Sequence, residues 1–219
     1  GAPEGTLVIA ERQTSGRGRM GRSWLSPKGK GLWMSLVLRP DMPVFCTPQL
    51  TLLIAVALCR SLRRQTGLDI GIKWPNDLLV NGRKISGILL ESSAEEERLR
   101  HVIAGVGISV NLGPDDYPPE LLPKAVSLMM AAGRPFDRME TAALFLESLE
   151  ELYGIYLKDG FEPIRLLWED CSVSLGKAAV LKTPQGTIEG VPVGLAPSGA
   201  LRVRTADGTE RSIISAEFE

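Results

Sequence analysis

Lys73-Trp74-Pro75-Asn76-Asp77-Leu78-Leu79-Val80-Asn81-Gly82-Arg83-Lys84-Ile85-Ser86-Gly87-Ile88-Leu89-Leu90 reads as a strand end, a proline stop and a two-stranded hairpin. Pro75 halts a brief strand over Ile70 to Lys73, since proline lacks the N–H a ladder requires. Asn81-Gly82 between Leu78 to Val80 and Lys84 to Leu90 is a strong two-residue hairpin signal, because both residues accept the positive φ such turns demand. The hairpin is expected to return Lys84 beside Asp77. Lys73, Asn76, Asp77 and Lys84 would then face one pocket, or Asp77 and Lys84 would form an ordinary cross-strand ion pair.

Outward from this hairpin, Thr6 to Ala10 and Leu32 to Leu38 are short apolar strands. Thr47-Pro48 opens a helix that keeps Leu50, Leu53, Ile54, Ala57, Leu58 and Leu62 in register until Gly67, with Thr47 expected as its cap. Glu95 to Arg98 is expected to be a charged hairpin tip. Val102 to Leu112 is a further strand, in which Gly105 and Gly107 permit close approach of a ligand or another backbone. Asp137 and Glu140 resemble a capping box opening a helix to about Gly160, and a shorter helix runs to about Asp170. Beyond it, short strands over Ala178–Lys182, Thr187–Leu195, Leu201–Thr205 and Glu210–Ile214 alternate with turns, the texture of a small all-β barrel. Two long helices among such strands indicate an α+β fold, with a domain boundary near residue 170.

Upstream, Gln13 to Trp24 reads QTSGRGRMGRSW. Gly16, Gly18 and Gly21 let the backbone turn tightly, and Arg17, Arg19 and Arg22 supply fork-shaped donors matched to phosphate oxygens. Trp24 offers a flat face for a purine. The same composition also suits a solvated basic loop or an arm for a nucleic-acid groove. The net charge of −1 over 219 residues provides no global attraction for nucleic acid or membrane, so anion binding must come from local clusters. A single histidine speaks against histidine-rich zinc sites and a Ser-His-Asp triad. Three cysteines, Cys46, Cys59 and Cys171, show no Cys-x-x-Cys spacing, which suits a reducing cytoplasmic setting. The longest unbroken apolar run, Leu52 to Cys59, is shorter than a membrane span, and no signal peptide is expected at the start.

Gln13-x-x-Gly16-Arg17-Gly18-Arg19-x-Gly21-Arg22-x-Trp24, Ser26-Pro27-Lys28-Gly29, Lys73-Trp74-Pro75-Asn76-Asp77 and Lys84-x-x-Gly87-Ile88-Leu89 occur in the order and spacing of the biotin–protein ligases, and the chain resembles that family along essentially its whole length. The resemblance implies a mixed β-sheet with helices packed on one side (residues 1–170, N-terminally incomplete), then an SH3-like β-barrel (171–219). It implies an ATP-dependent ligase that makes biotinyl-5′-AMP and passes biotin to a lysine of a biotin carboxyl carrier protein. Lys84, Arg17, Arg19 and Asp77 are then the catalytic candidates. Gln13, Gly16, Arg17, Lys84 and Gly87 would contact biotin. Arg17, Arg19, Arg22, Trp24, Lys73, Asn76, Ser109 and Asn111 would contact the nucleotide.

ATP would come with Mg2+ held mostly by phosphates and water, Asp77 being the candidate protein ligand. A homodimer is an expectation by analogy; nucleic-acid and membrane partners are not expected. Two departures from the family pattern stand out. Its Ser-Thr-Asn segment, expected ahead of the first strand, is not in the given sequence. Gly107-Ile108-Ser109 replaces the usual Gly-Ile-Asn, which puts the role of Ser109 in question. A lipoate- or octanoyl-protein ligase, a DNA-binding repressor and an inactive paralogue are the competing readings.

Overall fold

The computed structural model describes residues 1–218; Glu219, the last residue of the expected second domain, lies outside the described residues. The first unit contains strands β1 (Leu7–Ala10) and β2 (Leu32–Leu38), helix α1 (Thr47–Thr66), and strands β3 (Ile70–Lys73), β4 (Asp77–Val80), β5 (Arg83–Glu95) and β6 (Arg98–Ile108). Helices α2 (Leu128–Ala132), α3 (Arg138–Asp159) and α4 (Glu162–Cys171) follow. The strands form a six-stranded sheet in the order β1-β2-β6-β5-β4-β3. All its ladders are antiparallel, which corrects the expectation of a mixed sheet. Parallel pairing is confined to isolated bridges, Ile72 to Ser172 and Lys84 to Ala125, because tight turns join the successive strands β3 to β6.

The expected hairpin is present: Asn81 and Gly82 adopt φ of 50° and 73°. Glu96 and Glu97 form a second turn of the same hand at the charged tip, with φ of 48° and 65°. Thr47 does not cap α1. Its hydroxyl donates back to the Val44 carbonyl at 2.6 Å, and the helix begins at Thr47 itself. Asp137 does cap α3, its carboxylate accepting from Met139 N and Glu140 N.

Helix α1 packs across β3, β4 and β5, while α3 and α4 cover its outer side. Apolar residues around its whole circumference, from Leu50 and Leu53 to Ala57 and Leu58, are therefore fully buried. Val44–Thr66 is long and apolar enough to cross a membrane, but 61% of its most apolar window is buried inside the protein. It is a core helix.

The second unit contains β7 (Ala179–Thr183), β8 (Gly186–Leu195), β9 (Leu201–Arg204), β10 (Glu210–Ile213) and β11 (Glu217–Phe218), in the order β10-β9-β8-β7-β11. This is the strand succession expected of the small barrel, with no ladder joining β10 to β11 among the described residues. The sequence pattern missed β11, whose two described residues offer no alternation to detect.

The two sheets share one hydrophobic core. Leu181, Leu195, Leu201 and Val203 belong to the same buried cluster as α1. Gln49 Nε2 donates to Pro197 O at 2.7 Å, and Leu195 N donates to Glu169 Oε1 at 3.0 Å. The boundary near residue 170 separates two sheets but not two cores. Leu201→Ala, deep in the second unit, is expected to lower the stability of the whole chain by about 2–5 kcal/mol, in a single urea transition. Two separable transitions in that titration would show that the units unfold independently.

Candidate active site

The face of the first sheet turned away from α1 carries a cavity of about 590 Å³. Its floor depends on strand register. Gly87 pairs with Gly107, Gly107 with Trp33, and Asp77 with Gly87, so two adjacent positions carry no side chain. Trp24 occupies the space this leaves. A Cβ on Gly107 would stand 2.5 Å from Trp24 Nε1, and one on Gly87 would stand 3.0 Å from Trp24 Cζ3. Only glycine permits that approach. The indole Nε1 is buried without a hydrogen-bond partner.

The Gly/Arg segment forms its own small hairpin. Gly18 N donates to Arg22 O at 2.7 Å and Trp24 N to Gly16 O at 2.8 Å. Met20 and Gly21 turn the chain with φ of 57° and 73°. This places Arg17, Arg19 and Arg22 along the cavity rim. Gly16 lies beneath, where a Cβ would collide with Trp24 O, Gln13 Oε1 and Ser26 Oγ. It lines a second, adjoining cavity with Gln13, while Gln13 borders both.

Lys84 and Asp77 meet, but not as direct cross-strand partners. A bulge between Leu78 and Leu79 pairs Lys84 with Leu79, leaving Asp77 opposite Gly87. The lysine folds over Gly87, where a Cβ would stand 3.1 Å from both Cε and Nζ. Its Nζ reaches Asp77 Oδ1 at 2.6 Å and lies 5.0 Å from the Trp24 ring. The contact is a close ion pair that holds the Asp77 carboxylate and the Lys84 ammonium together at the cavity.

Of the residues expected at the site, Gln13, Arg17, Arg19, Arg22, Trp24, Lys73, Asn76, Asp77, Lys84, Gly87 and Ser109 line the cavity. Asn111 does not. Its side chain clamps the Phe136 backbone, donating to Phe136 O at 2.8 Å and accepting from Phe136 N at 3.0 Å. It ties down the approach to α3, so the structure does not bring Asn111 together with the other expected nucleotide contacts.

The cations differ in how they are held. Arg17 pairs with Glu91, and Arg22 with Glu217, in contacts exposed enough to be weak and readily exchanged for a ligand. Arg19 is more enclosed. Burial draws its pKa below the usual guanidinium value, and Asp77 and Glu217 nearby oppose that shift.

Several lining residues escaped the sequence reading. Tyr117, Leu121, Lys124 and Ala125 come from the irregular segment between β6 and α2. Burial pushes the Tyr117 phenol up from its ordinary pKa, with Ser109 working the other way, so it stays neutral. Ala216, Glu217 and Phe218 come from the second unit. None of these carried a motif, and only folding brings them to the cavity. Trp33 lies in an apolar strand that gave no sign of facing a ligand. No cluster of three or more His, Cys, Asp or Glu side chains suited to a metal occurs among the described residues. Asp77, Glu91 and Glu217 each already face a cation, so the side chains at the cavity do not fit a resident metal.

A shared catalytic domain of the biotin and lipoate ligases is what this sequence and fold match. The sequence profile described as the Biotin/lipoate A/B protein ligase family matches residues 1–109, and that of the Biotin protein ligase C terminal domain matches 174–219. The bifunctional ligase/repressor BirA of Bacillus subtilis is 48% identical over the whole chain, which spans 67% of that protein. A biotin--[acetyl-CoA-carboxylase] ligase of Paracoccus denitrificans is 35% identical over 93% of the chain and 85% of its own length. The Aquifex aeolicus biotin protein ligase, solved with biotin and ATP, superposes with a TM-score of 0.86 at 32% identity, over all of this chain and 90% of that one. The chain belongs to the biotin protein ligase family.

Asn111→Ala removes two hydrogen bonds to buried backbone and is expected to cost about 1–3 kcal/mol of stability. ATP affinity measured by calorimetry should stay unchanged. A selective loss of ATP binding at unaltered stability would restore Asn111 to the nucleotide site.

Proposed function

We infer that the chain is a biotin–[acetyl-CoA-carboxylase] ligase, which joins biotin to ATP as biotinyl-5′-AMP and then transfers biotin to a lysine of a biotin carboxyl carrier protein. The observation that carries this reading is the convergence of Lys84, Asp77 and Arg19 on one cavity beside a glycine floor, in a chain of this family. At about 590 Å³ the cavity lies within the usual range for small-molecule sites, about 300–1,000 Å³.

In the first step a biotin carboxylate oxygen attacks the α-phosphorus and pyrophosphate leaves. Two anions must approach each other, so positioned positive charge lowers the barrier. Lys84 sits between the glycine floor and the arginine hairpin, suited to hold the carboxylate and the α-phosphate together. Arg17, Arg19 and Arg22, with Lys73, would receive the phosphates, and Asn76 fixes Arg19. Gln13, Gly16 and Gly87 would border biotin, with Ser109 and Trp24 nearer the nucleotide. The indole now rests on the floor that a ligand would use, so ligand entry requires it to lift and then close over the anhydride, excluding water.

In the second step the acceptor amine attacks the acyl carbon and AMP leaves. Asp77, at the cavity beside Lys84, would help the acceptor ammonium lose its proton once Lys84 turns to the substrate. Mg2+ would come with ATP, held mostly by phosphates and water, and would supply charge neutralisation there. A cytoplasmic setting, favoured by the free thiols Cys46, Cys59 and Cys171, is part of the proposal. So is the architectural division into a catalytic unit (1–170) and a C-terminal unit (171–219).

Strand β1 leaves one sheet edge unpaired, with Val8 60% exposed, and a homodimer across this edge completes the reading. A monomer mass by sedimentation at micromolar concentration, with both ligands present, would remove that part.

Lys84→Ala is expected to slow biotinyl-adenylate formation by about 100-fold or more. Its melting temperature should match the parent, because the Lys84 side chain is 31% exposed. A normal burst of adenylate in single-turnover experiments with ATP and labelled biotin would sink the assignment.

A further inference from the structure

Arg19 is the cavity cation held by two neutral acceptors. Its Nη1 donates to Asn76 Oδ1 at 3.0 Å, and its Nη2 donates to Ser215 Oγ at 3.0 Å. Asn76 belongs to the catalytic unit and is itself anchored, its Nδ2 donating to Ile88 O at 2.8 Å. Ser215 belongs to the second unit, 196 residues along the chain from Arg19. It is seated between buried Ile213 and Ala216, just before β11, which is paired to Leu181 and Lys182 of β7.

We propose that Ser215 is the positioning residue for Arg19, through which the C-terminal unit holds the nucleotide-phosphate site ready for its substrate. This rests on the ligase reading above.

Three features support it. First, a carboxylate in place of Ser215 would satisfy the guanidinium but cancel the charge a phosphate needs. A hydroxyl and an amide oxygen orient it while leaving that charge available, along with its other N–H groups. Second, the remaining arginines are arranged differently. Arg17 and Arg22 are held by Glu91 and Glu217 in exposed ion pairs, so phosphate must replace a carboxylate there, whereas Arg19 needs no such exchange. A group already oriented and partly desolvated interacts strongly with charge developing beside it and needs little reorganisation.

Third, the contact belongs to a larger seam. Glu217 reaches Arg22, and Lys73 Nζ lies 5.5 Å from the Phe218 ring centroid. Ala216, Glu217 and Phe218 line the cavity. Ser215 is not among the lining residues, so its influence passes through Arg19 and not by touching substrate.

The test uses the full-length protein and pyrophosphate release with varied ATP and varied biotin. Ser215→Ala should lower kcat/KM for ATP about tenfold, the scale expected for losing a hydrogen bond to a charged group. KM for biotin and the melting temperature should stay unchanged, and Ser215→Thr, which keeps the hydroxyl, should restore most of the loss. In an Arg19→Lys background, Ser215→Ala should have little further effect, because the two residues act as one unit.

Unchanged kcat/KM for ATP in an active Ser215→Ala enzyme would overturn the proposal and leave the ligase reading standing. So would additive losses in the double variant, or a parallel loss in the biotin and ATP parameters with a lowered melting temperature. Failure of the parent protein to release pyrophosphate from biotin and ATP would overturn the ligase reading, and this proposal with it.

Discussion

Everything at the cavity depends on one constraint: the first sheet must bury one face under α1 and leave the other without side chains at Gly87 and Gly107. Strand alternation sends successive side chains to opposite faces. Ile88, Val106 and Ile108 thus go into the core while Gly87 and Gly107 come up on the cavity side. The helix face is packed without exposure at Leu53, Ile54 and Leu58, which makes the sheet rigid beneath the site. The two glycine positions then admit what a side chain would exclude: the Trp24 indole and the folded Lys84.

Electrostatics follow from that geometry. Positive groups brought to the rim would repel one another if left alone. The fold answers with Glu91 for Arg17, Glu217 for Arg22 and Asp77 for Lys84. These pairs are partly exposed, so each contributes little to stability and yields easily to a ligand. Arg19, flanked by Asn76 and Ser215, keeps its charge uncancelled by a direct ion pair. The site thus combines exchangeable cations with one held in place.

The C-terminal unit has a structural reason to share in this. Its Leu181, Leu195, Leu201 and Val203 complete the hydrophobic core that α1 and α4 begin. A turn at Gly199, with φ of 86°, fits against Leu52 and Gln49, where a Cβ would stand 3.1 Å from Leu52 Cδ1. The small sheet is held against the catalytic unit by its own burial, and the segment after β10 is delivered to the cavity as a consequence.

The amino-acid sequence by itself determined the hairpin at Asn81-Gly82, the extent of α1 and α3, the glycine positions at 105 and 107, and the Arg- and Lys-bearing segments. These follow from local chemistry: positive φ, helical spacing, and side chains whose types match phosphate. It misjudged Thr47 as a cap, because a hydroxyl can bond backward to Val44 as well as forward. It did not foresee that Asn111 binds the Phe136 backbone, because residue type alone does not say which group an amide faces. Only the tertiary structure decided that the sheet is antiparallel, that Tyr117 and the segment Ala216–Phe218 line the cavity, and that Ser215 meets Arg19. Those contacts join distant parts of the chain, and their geometry is set by packing around a common core, which no local pattern records.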